Sequence, residues 1–122
     1  MVTTAFVNFL VDSLEGTQAD WINFKYHDSG IGVAAEAVGD TGLGTPWGGA
    51  RDTGTQIDGT TANIYKSVAT TTYNATKAIT EHGLFNAAAA GTLMDRSVFA
   101  AINVVDTNAI EWTFTITFTA GG

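Results

Sequence analysis

The chain of 122 residues contains no cysteine and a single proline, Pro46. Without thiols it forms neither disulfides nor thiolate metal sites, and its fold is indifferent to redox compartment. Basic residues are scarce: five Lys and Arg stand against twelve Asp and Glu, a net charge of −7. Nucleic-acid binders need a basic stripe to displace counterions, so no nucleic-acid partner is expected. No apolar run approaches the roughly 20 residues of a membrane span. The stretch Ala5 to Val11 is broken by Asn8, is closed by Asp12 and lacks a basic segment before it, so neither a secretion signal nor a membrane anchor is expected. Charged residues make up only 14% of the chain, whereas threonine, alanine and glycine abound. That bias suits a β protein presenting a neutral, Thr-rich surface to neighbours.

What is present is a strong two-residue period at the carboxy end. Ile110, Trp112, Phe114, Ile116 and Phe118 alternate with Glu111, Thr113, Thr115, Thr117 and Thr119. A strand points successive side chains to opposite faces, so one face is apolar and the other a threonine row. Burying five such groups contributes on the order of 10 kcal/mol gross, which requires a second layer to receive them. Upstream, Val7, Leu10, Val11 and Leu14 are spaced as one helical stripe behind Thr3 or Thr4 as N-cap, predicting a short helix over 4–14 that ends at Gly16. Phe6 and Phe9 lie partly off that stripe. Ile22, Phe24 and Tyr26 alternate across Trp21 to His27, which reads as a first strand.

Residues 28–59 hold nine glycines and Pro46 and read as loop, with Arg51 to Ile57 as a short edge strand inside it. Strands are expected at 61–72, 76–85 with a bulge at Gly83, 93–105 and 109–119, joined by short corners into a four-strand meander spanning 61–119. The expected architecture is mainly β: one domain, 1–122, an antiparallel, jelly-roll-like β-sandwich with one short N-terminal helix. Its core should contain Ile22, Phe24, Tyr26, Ile64, Val68, Ile79, Val98, Trp112, Phe114 and Ile116.

Chemistry is sparse. Glu81-His82 and His27-Asp28 are the only His/carboxylate neighbours, and adjacent strand residues face opposite ways, so neither pair converges on one substrate. No nucleophile elbow or phosphate loop occurs. Asp40, Asp52 and Asp58 stand in turns without the spacing of a calcium loop. No catalytic, cofactor or metal residues are therefore expected. Arg96 and Glu81 are placed for a cross-strand ion pair that sets register. Trp47, between Pro46 and Gly48-Gly49, has little local core to enter; Pro46, Trp47 and Arg51, with Phe6 and Phe9 of the helix, are the expected partner-contact residues.

Ile79-Thr80-Glu81-His82-Gly83-Leu84-Phe85, a small-residue turn, Leu93-Met94-Asp95-Arg96-Ser97-Val98-Phe99 and the Thr-alternating last strand together resemble a family of small structural proteins of tailed bacteriophages and prophages. Val2-Thr3-Thr4, Tyr26-His27, Ile31-Gly32 and Gly39-Asp40-Thr41 are similar to it as well, so the likeness spans nearly the whole chain. Val33-Ala34-Ala35 and Pro46-Trp47-Gly48 depart from it. The resemblance implies a virion component without saying which place in the particle it takes; a non-enzymatic protein at the capsid surface, rather than the tail, is expected. The expected role is a head decoration or cement protein that binds the major capsid protein or other virion subunits and forms a homo-oligomer, with a trimer among the options. The alternative is a tail-fibre or baseplate-associated module contacting the host surface, where an exposed Trp21 or Trp47 would stack on a sugar, or another tail protein.

Overall fold

The computed structural model describes residues 1–121. The chain begins with helix α1 (Thr4–Leu14), as its periodicity predicts, and Thr3 caps it by accepting from Phe6 N at 3.1 Å. The helix is rotated from the expected stripe. Phe6 and Phe9 are buried, each edge-on to Phe24 with ring centroids 5.0 and 5.1 Å apart, while Val7, Val11 and Leu14 face solvent. Phe6, Phe9, Leu10 and Ser13 have the same spacing as the valine stripe, and two aromatic rings bury more apolar area than two valines. Phe6 and Phe9 are thus core residues rather than contact residues.

A single 3-10 turn, Trp21–Asn23, replaces the expected first strand, leaving Ile22 exposed. The strand β1 starts later, at Tyr26–Gly30. After a long loop come β2 (Asp52–Thr53), β3 (Thr55–Asp58), β4 (Ile64–Thr72), β5 (Lys77–Phe85), β6 (Leu93–Val104) and β7 (Ala109–Thr117). The expected edge strand near Arg51 exists as two pieces that cross between sheets at Gly54. Two antiparallel sheets result, ordered β2-β1-β5-β6 and β3-β4-β7, consistent with the expected β-sandwich.

The expected meander over 61–119 does not form. β4 pairs with β7, whereas β5 pairs with β6 in the other sheet. A four-strand meander would place all its apolar faces on one layer with nothing opposite; splitting the strands lets β4 and β7 face β5 and β1. The return of β7 beside β4 is a Greek-key connection.

The last strand has the expected phase, with Ile110, Trp112, Phe114 and Ile116 inward and threonines outward. The phase of β4 is inverted. Tyr65, Ser67, Ala69 and Thr71 lie opposite the inward residues of β7, so Ile64 and Val68 belong to the outer face. β7 fills the interior with large groups, and beyond Tyr65 its partner strand supplies small ones. In β5 the register shifts fall between Ile79 and Glu81 and between Leu84 and Phe85, rather than at Gly83. Two apolar clusters form: Phe6, Phe9, Phe24, Leu84 and Met94 beneath the helix, and Trp47, Tyr73, Ile79 and Val104 at the opposite end.

Candidate functional site

Between the clusters the two sheets meet through polar side chains. β1 and β5 pair so that His27 opposes Leu84 and Ser29 opposes His82, which puts both histidines on the inner face. His27 Nδ1 lies 3.0 Å from His82 Nε2, His27 Nε2 lies 2.8 Å from Ser67 Oγ, and His82 Nδ1 lies 3.1 Å from Ser29 Oγ. Ser29 Oγ continues the chain to Tyr73 Oη at 2.9 Å. Five groups thus form one line from β4 to the corner after it, and its protons are satisfied in either of two opposite polarities. His82 is stacked on Trp112 at 4.1 Å and 14°. Burial lowers His27 from 6.5 to about 4, and burial reinforced by the neighbouring His27 holds His82 well below its ordinary value. Both rings are therefore neutral near pH 7.

An open cleft of about 450 Å³ between β6 and β7 reaches His82, with Asp95, Ser97 and Phe99 on one wall and Trp112 to Thr115 on the other. Each ring nitrogen of both histidines already has a protein partner, so neither is free to take a proton from a molecule in the cleft.

Glu81, adjacent to His82, points the other way. Its buried carboxylate accepts from Gly32 N at 3.0 Å, Thr45 N at 2.8 Å, Gly44 N at 2.9 Å and Arg96 Nε at 2.7 Å. Arg96 in turn donates to Asp40 Oδ2 at 2.9 Å and to Ala34 O at 3.0 Å. The expected Glu81 and Arg96 pair is present, but its role is larger than register: it fastens the glycine loop, residues 31–51, over the outer face of the four-stranded sheet. Burial pushes the Glu81 carboxyl up, and the N–H groups of Thr45, Gly44, Arg96 and Gly32 outweigh it, leaving the group below its ordinary value. The fit requires glycine, since a Cβ on Gly32 would stand 2.4 Å from Glu81 Oε1.

The expected contact residues fall in this loop and find partners within the chain. Trp47 is only 8% exposed; its ring packs 4.9 Å from Tyr73 and covers Gly49 so closely that a Cβ there would lie 1.8 Å from it. Trp47 N donates to Ser29 O at 3.0 Å, placing Thr45 to Trp47 along the edge of β1. Arg51 pairs with Asp28 at 3.3 Å, donates to Ala87 O and Ala90 O, and lies over the Phe85 ring. Pro46 alone of these side chains is exposed.

The open apolar surface lies at the helix end. Val7, Val11, Leu14, Trp21 and Ile22 are between 50 and 89% exposed, and a groove of about 370 Å³ runs between Leu10, Trp21, Ile22, Tyr65 and Phe118. The stripe of Val7 and Val11 that the spacing predicts faces solvent, and the competing Phe6 and Phe9 stripe is the signal that leaves it free. Among the described residues no group of three or more His, Asp or Glu is placed to hold a metal ion, and no helix is long and apolar enough to cross a membrane. No family model matches the chain, and no curated protein or solved structure matches it.

Proposed function

We propose that this chain is a non-enzymatic structural protein of a tailed-phage particle, a decoration or cement subunit that docks on the assembled head through its helix end. The observation that carries the docking end is the solvent-facing stripe of Val7, Val11 and Leu14, continued by Trp21 and Ile22. Apolar side chains clustered this way at one end of a small acidic domain mark an interaction surface. The virion assignment is supported by the resemblance of the Ile79 to Phe85 and Leu93 to Phe99 segments. A non-enzymatic role is supported by the two buried histidines, whose ring nitrogens are all engaged by partners within the chain. The partner is the major capsid protein or another virion subunit.

The test uses labelled protein on intact particles. Wild type should decorate heads at high copy number, and a Val11→Asp, Leu14→Glu variant should lose most of that occupancy. At such exposed sites the substitutions should leave stability within about 0.5 kcal/mol of wild type. Full occupancy by the variant would overturn the helix end as the docking surface. Label confined to tails, at a handful of copies, would replace the head reading with the tail-fibre or baseplate one.

A further inference from the structure

An antiparallel sandwich has four sheet edges, and each presents unpaired N–H and C=O groups that invite another strand unless they are blunted. Two are blunted here by their shortness, and a third is covered along its amino half only. β2 has two residues and β3 four. The amino half of β6 is covered: Thr3 N donates to Met94 O at 3.0 Å, Arg96 N to Met1 O at 3.1 Å, and Val98 N to Glu36 Oε2 at 2.8 Å. β7 is different. It runs nine residues, pairs with β4 without a register break, has no partner strand on its other side among the described residues, and carries one charge, Glu111.

The polarity of this edge follows from the ladder. Phe118 N donates to Asn63 O and Tyr73 N to Asn108 O, so the even-numbered residues of β7 direct their backbone groups to β4. Glu111, Thr113, Thr115 and Thr117 direct theirs outward.

We propose that β7 pairs with β7 of a second copy of this chain, antiparallel about a two-fold axis at Thr113, joining two three-stranded sheets into one of six strands. That register overlaps all nine residues, 109 opposite 117. It sets Ile110 against Ile116 and Trp112 against Phe114 of the second copy on the inner face, and Glu111 against Thr115 on the outer face. Apolar groups meet apolar groups, and the two Glu111 carboxylates stay apart. This pairing rests on the edge alone and is independent of where in a particle the protein resides.

Sedimentation of the free protein over a concentration series should show a monomer–dimer equilibrium. Thr113→Lys opposes two ammonium groups across the axis, and Thr113→Pro removes an outward N–H where an edge strand tolerates its loss. Both should be monomeric, with circular dichroism like that of wild type. Thr113→Cys, the sole thiol in its chain, should oxidise to a disulfide-linked dimer far faster than Thr115→Cys. A wild type that stays monomeric or forms trimers, a folded Thr113→Lys variant that still dimerises, or equal crosslinking at the two cysteine positions would each overturn the pairing.

Discussion

Glu81 and His82 are neighbours that share a strand and nothing else. The alternation of β5 sends the carboxylate to the outer face and the imidazole between the sheets, so the pair is separated by the sheet itself, as the sequence spacing implies. What no spacing shows is the partner set of each, because it depends on strand register and on a loop closing from 31 to 45. Replacing Glu81 with Gln leaves Arg96 buried opposite an amide whose nitrogen meets backbone donors, so the substitution should cost about 3–5 kcal/mol in urea unfolding. Gly32→Ala forces its Cβ against the same carboxylate and should cost about 1–3 kcal/mol, with the damage concentrated in the loop. A Glu81→Gln variant as stable as wild type would show that the loop is held by other means.

At the scale of elements, the legible features were those with one dominant pattern. β7 carries large apolar groups at every second position and has only one phase that buries them. The helix bounds were legible from Thr3 and Gly16, but its rotation was not, because two stripes share Leu10 and the choice falls to which side chains meet Phe24. The phase of β4 was not legible, because apolar character does not mark the inner face of this strand. Ser67 and Thr71 are inside because Ser67 Oγ pairs with His27 Nε2 at 2.8 Å and Thr71 donates to Asp52 at 2.6 Å. Trp47 follows the same logic in reverse: the absent Cβ of Gly49 makes room for the ring to fold back. Trp47→Ala should therefore lower stability of the free protein by about 3–5 kcal/mol, visible as a drop in melting temperature. An unchanged melting temperature would return this side chain to the role of a surface anchor.

Over the whole molecule, the glycine loop behaves as an outer layer of the sandwich. Its length and glycine content make its ordering entropically costly. The buried carboxylate of Glu81 supplies the compensation locally, and the amides of Gly32, Gly44 and Thr45 should exchange slowly in the free protein at neutral pH. Glu81 on one face and the two buried histidines on the other make the fold acid-sensitive from both sides of the four-stranded sheet. His27 in the folded state has its value lowered to about 4 against 6.5 unfolded, so between these limits the unfolded chain binds the extra proton. The associated stability is complete above pH 6.5 and is lost as pH falls toward 4, a loss of about 3 kcal/mol from His27 alone. His82, held lower still, adds to the slope with the same sign. Glu81 acts further down: its depressed folded value makes its contribution present above the ordinary carboxylate range and lost as pH falls through that folded value. Urea unfolding measured stepwise from pH 7 to pH 4 should show a steady fall through the histidine window, with neither histidine ring titrating by NMR between pH 7 and pH 5. His27→Gln should flatten that slope. A stability that stays constant from pH 7 to pH 5, or a ring that titrates near 6.5 in the folded protein, would mean that the histidine line between the sheets is open to solvent.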